Sequence, residues 1–394
     1  MKYLKKFATR AEYEAYMAGN ENYPLVVYIA DEKKVEYHPL LDFSSMPFYV
    51  KALENTTVSF TTNTIQYSLD NETWVDLPAN TTAPTISAGG KMYFRAEGLS
   101  PTSSAGIGTF NIAGRCNLGG NIMSLLYGDD FVDKVYIGKE HFFYKLFYQQ
   151  TSIVHAGNLV LPATTLQPNC YKSMFNGCTS LTNAPKILPA TTLKDSCYMY
   201  MFRDCASLVN APELRVLTLA QNCCYGMFWG CTSLVNTPEL HATTLQSDCY
   251  QNMFRGCSSL VNAPELPALI LAQNCYLSMF EDCSSIVNAP ALPATTLKES
   301  CYSSMFWGCT SLVNAPELPA LTLVTSCYNN MFYGCTNLQY IKAMFTTTPT
   351  IYNAGGWVSG VKSVGTFVKN AAATWDVTGG NGIPSGWTIK TATE

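Results

Sequence analysis

The chain has 394 residues, a formal net charge of −4 and a charged fraction of 13%, about half the ordinary share for a globular protein. Lys and Arg form no basic stripe and no apolar run approaches the ~18 residues of a membrane span, so composition argues against a nucleic-acid binder and against membrane insertion. The over-represented types are 16 Cys, 24 Tyr and 20 Pro, and one repeated unit is their common cause.

Residues 1–42 read as a small separate attachment or oligomerisation unit. Thr9-x-x-Glu12 is a capping box that opens a short helix, which Gly19 and Asn20 stop. YPLVVYIA from Tyr23 and KVEYHPL from Lys34 read as two strands joined at Asp31-Glu32-Lys33. The segment F-A-T-x-A-E-Y-E-A-Y, Phe7 to Tyr16, resembles the opening of structural proteins carried by Bacteroides phages. That resemblance implies a virion part, with other virion proteins contacted through this unit and, for a fibre, a homotrimer. The basic start has no apolar core and no small-residue cleavage site, so no secretory signal is expected.

Residues 43–119 alternate with period two in TVSFTT, IQYSLD, ETWVDL, APTISA, KMYFRAEG and GTFNIAG, with turn signals at Asp70-Asn71 and Gly89-Gly90. This pattern predicts a small antiparallel β-sandwich, immunoglobulin-like. SLDNETW from Ser68 is similar to the Asp-box turn of sialidases, but it lacks the Gly and occurs once, so no sialidase is expected.

From residue 120 the chain repeats itself. Met-Phe recurs at Met174, Met201, Met227, Met253, Met279, Met305 and Met331, with a spacing of 27 once and 26 thereafter. One Cys lies four residues before each Met and a second four after it, as at Cys170 and Cys178. A degraded copy precedes these at Leu146-Phe147, as expected of an end coil with no outer neighbour. The residue before each first Cys is Asn, Ser or Asp, a good N-cap, and seven residues after that Cys stands Gly or Asp. Each unit is therefore predicted to hold a helix of about two turns, with Cys170, Tyr171, Met174 and Phe175 on the inner face and Lys172, Ser173 and Asn176 outside. S-L-V-N-A-P-E-L reads as a short strand that ends at Pro, with Leu and Asn in columns. The fold class expected is α+β: a solenoid of about 26 residues per coil with its N-terminal cap over 120–345, and a C-terminal cap over 346–394.

The repeat core M-F-x-G-C-T-S-L, as at Met305 to Leu312, resembles the A-F-x-G-C-T-S-L of BspA-like leucine-rich-repeat surface proteins of Bacteroidales. The resemblance extends to GNIMSLLYGDDF at Gly120 to Phe131 and to IPSGWT at Ile383 to Thr388. It implies a leucine-rich-repeat fold and an adhesive role, and it says little about ligand.

If a helix separates the paired Cys, their Cα atoms lie on the order of 12 Å apart, beyond disulfide range, so stacked free thiols are expected, with disulfides between coils and metal sites as the lesser readings. No metalloprotease, phosphate-loop, dinucleotide or esterase motif occurs and the four His are scattered; an enzyme, a cofactor and a metal site are not expected. His241 takes a Pro position and reads as a turn residue. The residue after Met-Phe varies while its neighbours do not: Asn176, Arg203, Trp229, Arg255, Glu281, Trp307, Tyr333. Trp, Tyr and Arg are hot-spot types, so Arg203, Trp229, Arg255, Trp307 and Tyr333 are the candidate ligand-binding residues, for a bacterial surface glycan or protein. The competing reading is unconstrained drift, or Trp lying flat on adjacent coils. A second column, Glu213, Glu239, Glu265 and Glu317, stacks like charges that solvent would screen, with a bound cation as the other reading. The function expected is non-enzymatic recognition, as a phage virion fibre or decoration protein on gut bacteria; the alternatives are a bacterial surface adhesin and a ligand-free spacer.

Overall fold

The computed structural model describes residues 3–7, 25–29, 34–38 and 43–392. The strands Leu25–Ile29 and Lys34–His38 pair antiparallel as expected, and Tyr3–Phe7, not foreseen, pairs in parallel with Leu25–Ile29. The helix expected from Thr9 and Glu12, and the joint at Asp31–Lys33, lie outside the described residues.

Beyond residue 43 the molecule is β-rich with few helices. Five of the six alternating segments form strands: Thr57–Phe60, Ile65–Ser68, Val75–Leu77, Lys91–Arg95 and Phe110–Ala113. APTISA makes only the isolated bridges Thr56↔Ile86 and Ser59↔Thr82 beside it. The Asp70 turn is held by the carboxylate itself, which accepts from the Thr73 and Glu72 N–H groups (2.7 and 2.9 Å) and from the Ser68 hydroxyl (2.8 Å); these bonds keep its pKa well below the carboxylate range. The residues similar to an Asp-box thus serve a hairpin turn.

Two further strands, Phe48–Ala52 and Cys116–Asn121, join this region to the repeats. Cys116–Asn121 pairs antiparallel with Phe48–Ala52 on one side and in parallel with Ile153–Val160 on the other. The boundary expected at 119/120 therefore falls inside a strand. Gly119 and Gly120 are required there. A Cβ on Gly119 would enter the Tyr49 ring, and Gly120, at φ +77°, lies against the Pro47 carbonyl.

The repeats stack as coils, but the two-turn helix predicted in each is absent, and this is the main correction to the α+β expectation. In its place every fourth residue has positive φ: Asn169, Ser173 and Gly177 in one coil, Asn274, Ser278 and Asp282 in another. A left-handed residue at that frequency breaks the i→i−4 ladder of an α-helix. The N–H groups instead alternate between two kinds of partner. Tyr171, Ser173, Phe175 and Gly177 donate to Cys197, Met199, Met201 and Arg203 of the next coil at 2.8–3.1 Å. Lys172, Met174, Asn176 and Cys178 donate three residues back at 3.1–3.2 Å. Each turn is thus satisfied half by itself and half by its neighbour, so a coil cannot exist alone. The predicted inner residues Cys170, Tyr171, Met174 and Phe175 are buried; Ser173, predicted outside, is buried as well.

The inter-coil backbone bonds of this wall run from one coil's N–H to the following coil's carbonyl, which leaves carbonyls open at the first coil and N–H groups open at the last. The β-region closes the first set: Ile107 and Phe110 N–H donate to the Phe142 and Leu146 carbonyls (3.2 and 2.9 Å). The tail closes the second: Val358 N–H donates to the Gly380 carbonyl (3.2 Å) and Gly356 N–H to Asn381 Oδ1 (2.7 Å). Strand Tyr340–Ala343 leads into the tail and pairs in parallel with Thr366–Lys369, which pairs with Thr388–Thr391. On a second wall the Asn column forms parallel bridges, Asn183↔Asn210↔Asn236 and Asn262↔Asn288↔Asn314, with Asn236 Nδ2 donating to Asn210 Oδ1 (2.6 Å).

The interior is one continuous core. Phe147, Phe175, Phe202, Phe228, Phe254, Phe280, Phe306 and Phe332 stack in file with centroids 5.2–5.8 Å apart. Phe110 and Phe48 of the β-region meet the file at Phe147, and buried Trp357 of the tail ends it. A parallel Tyr file is interrupted where Cys224 replaces Tyr.

All sixteen Cys are buried and none is paired. Every second Cys donates its thiol to the Phe carbonyl of the preceding coil, as Cys257 Sγ to Phe228 (3.2 Å) and Cys283 Sγ to Phe254 (3.0 Å). Burial pushes the thiols up, to about 12 for Cys170, Cys178, Cys275 and Cys335. The thiolate is the reactive form, so at pH 8 the native protein holds roughly a thousandfold less of it at these sites than an exposed Cys would. Native protein is expected to leave its thiols unlabelled by a disulfide reagent over the time in which denatured protein titrates all sixteen. Because the folded thiol pKa lies above the unfolded one, this contribution to stability is complete below the ordinary thiol pKa and is lost as pH rises through about 9 to 12. Midpoint denaturant concentration against pH, flat to pH 8 and falling above 9, checks the sign.

Candidate functional site

The five candidate contact residues occupy the last position before the third left-handed residue of each turn wall. There the carbonyl accepts from the preceding coil, as Trp229 does from Asp204 N–H (2.7 Å), while the side chain leaves the wall one coil from its neighbours. None lies in the interior. They form two clusters of different character.

Arg203, Trp229 and Arg255 make a closed sandwich. The two guanidinium groups lie 4.3 and 4.8 Å from the indole centroid, one contributed by each flanking coil. Arg255 continues to Glu281 (Nη2 to Oε1, 2.6 Å), which is 9% exposed, and Arg203 pairs with Asp204 (3.2 Å) and covers Tyr200 (5.1 Å). Each cation–π contact contributes about 0.5–1 kcal/mol at a partly exposed site, so Trp229 ties three coils together. Both faces of its ring are occupied. The alternative of Trp packed on adjacent coils describes Trp229.

Trp307 and Tyr333 form the open cluster. Their centroids are 4.8 Å apart at 45°, and they are 36% and 41% exposed. No cation covers either ring among the described residues. A tilted pair of exposed aromatics presents flat apolar area with an indole N–H and a phenol at its edges, which suits a sugar ring or an apolar side chain.

The Glu column is exposed, as solvated charges are, and three of its members also have a basic neighbour. Glu213 pairs with Arg215 (2.8 Å), Glu239 lies 3.6 Å from His241 Nε2, and Glu317 pairs with Lys342 (3.0 Å); Glu265 has no basic partner among the described residues. No three potential metal ligands gather among the described residues, and no helix there is long and apolar enough to cross a membrane. Sequence reasoning located the contact column but missed Glu281 and Tyr200 as members of its network. The signal was available: Glu281 is the one acid in the column and follows directly after Arg255.

No protein-family model matches the chain, and no curated protein does. Among solved structures the chain is similar to a leucine-rich repeat protein from Bacteroides ovatus ATCC 8483, at 13% identity and a TM-score of 0.29, over 63% of this chain and 77% of that one.

Proposed function

We propose that the protein is a non-enzymatic recognition protein, a leucine-rich-repeat solenoid that contacts a bacterial surface glycan or protein through the open end of the outward column, Trp307 and Tyr333, while Arg203, Trp229 and Arg255 close the rest of that column on itself. The observation that carries this reading is the uncovered Trp307–Tyr333 pair, which lies beside a stretch of the same column that is closed on itself. Trp and Tyr are the types that dominate interface energy, and here they stand side by side at the surface. The setting we favour is a phage virion, as a fibre or decoration protein whose N-terminal unit contacts other virion proteins. The resemblance of Phe7 to Tyr16 to phage structural proteins supports it. The BspA-like repeat core supports a second setting, an adhesin on the bacterial surface itself.

Trp307→Ala combined with Tyr333→Ala is expected to weaken binding to intact Bacteroidales cells by about tenfold or more, with thermal stability nearly unchanged. Cell sedimentation of labelled protein reads this directly. Undiminished binding of the double variant overturns the proposed face. Absence of binding by the wild-type protein across a panel of strains favours the ligand-free spacer.

A further inference from the structure

The P-E-L-P-A-T-T-L wall of the coils breaks its own pattern in two adjacent coils. Pro189, Pro267, Pro293 and Pro319 hold one position of this wall, but Arg215 and His241 occupy it in the second and third full-length coils. The same two coils carry Glu213 and Glu239, and the next carries Glu265. These residues line two cavities of about 670 and 560 Å³, which share Pro238, Glu239 and His241 and so form one groove across adjacent coils. Glu213 N–H donates to the Lys186 carbonyl of the preceding coil (2.9 Å) and Leu318 N–H to Lys342 (3.0 Å), whereas no backbone bond joins Glu239, Leu240 or His241 to a neighbouring coil, as is also the case at Glu265, Leu266, Ala291 and Leu292. Peptide groups left without partners at the surface need water or a ligand.

We propose that this groove is a binding site for an oligosaccharide, distinct from the Trp307–Tyr333 face. The chemistry selects the ligand class. Glu213 and Glu239 bring acceptors, and Arg215 and His241 bring donors within 2.8 and 3.6 Å of them, so acceptors and donors alternate along the groove. A basic peptide would find Glu213 already paired with Arg215 (2.8 Å), and an acidic one would be repelled by Glu239 and Glu265. A polyhydroxylated chain offers donors and acceptors at every unit without net charge, and the open peptide groups add partners of both kinds. The Pro238 ring supplies an apolar floor between them. Proteins build such a site by departing from a structural repeat at the positions that touch ligand, and Arg215 and His241 are departures of that kind.

The test uses the repeat's own residue. Arg215→Pro with His241→Pro restores what the other coils carry; because Arg215 follows directly on the Leu188↔Leu214 strand pair and its N–H serves that pair, His241→Pro is also tested alone, and far-UV circular dichroism checks that both variants fold. Glu239→Gln keeps the backbone and removes only charge. Full-length protein is applied to an array of oligosaccharides released from gut bacterial surfaces, with polylysine as the basic-polymer control. Wild-type protein is expected to retain a defined set of glycans. The double variant is expected to lose them by about tenfold or more, Glu239→Gln to weaken them, and Trp307→Ala with Tyr333→Ala to keep them. Equal glycan binding by the double variant overturns the proposal. So does a wild-type protein that binds only polylysine, or no glycan on the array. Because the aromatic variant is scored on the same array, failure of the groove and failure of the outward face are read separately.

Discussion

Phe254→Ala is expected to destabilise the protein by about 3–5 kcal/mol, towards the upper end of what a buried Phe costs. The ring is fully buried and lies nearly parallel to Phe228 (5.6 Å, 3°) and Phe280 (5.8 Å, 4°). Truncation removes the buried area and two ring contacts at once. The usual relief, collapse of neighbours into the space, is blocked, because the backbone of both flanking coils is fixed. Phe228 N–H donates to Met253, Phe254 N–H to Met279 and Phe280 N–H to Met305, each at 2.9–3.0 Å, and the Phe254 carbonyl also accepts the Cys283 thiol. Phe254→Leu fills most of the volume and is expected to recover more than half of the loss. Guanidinium unfolding followed by Trp fluorescence measures both, with Val261→Thr, on an exposed side chain, as a control expected within about 0.5 kcal/mol of wild type. A cost below about 1 kcal/mol for Phe254→Ala would mean that the aromatic file is not what joins the coils.

The period of the repeat, its buried Cys, Met and Phe positions and the hairpin region were legible in the sequence because each is a repeated or alternating pattern. The conformation of the turn wall was misread for an identifiable reason. Ser, Asn and Asp are good helix N-caps, and Asn, Asp and Gly also tolerate positive φ, so Asn169 and Gly177 fit both a capped helix and a left-handed turn. The discriminating position is the one between them: Ser173, Gly226, Asn252, Ser278, Ser304 and Asn330, where a helix interior would not collect Gly and Asn. Tyr200 is the exception in that column, and its ring supports Trp229 instead (6.3 Å).

The junction strand Cys116–Asn121 was hidden because Gly119-Gly120 weakens any strand signal, and only the approach of Tyr49 and Pro47 shows why Gly is needed. In the contact column the residues could be named from variation between copies. That Arg203 and Arg255 close on Trp229 while Trp307 and Tyr333 stay open depends on side-chain direction, which a repeat alignment does not carry.

The central physical claim is that each unit is one coil, half of whose turn-wall N–H groups are satisfied only by the next coil in register. Deleting one whole period, residues 249–274, joins Asp248 to Cys275 and returns every column to its neighbour. Deleting half a period, residues 249–261, removes one turn wall and brings a turn position against an Asn-column position. In an array stabilised by nearest-neighbour interfaces, the first change shortens the stack and the second cuts it. Thermal unfolding followed by far-UV circular dichroism should show one cooperative transition for the whole-period variant, a few degrees below wild type, and none for the half-period variant. Equal behaviour of the two deletions, or loss of folding by the whole-period variant, would contradict the account.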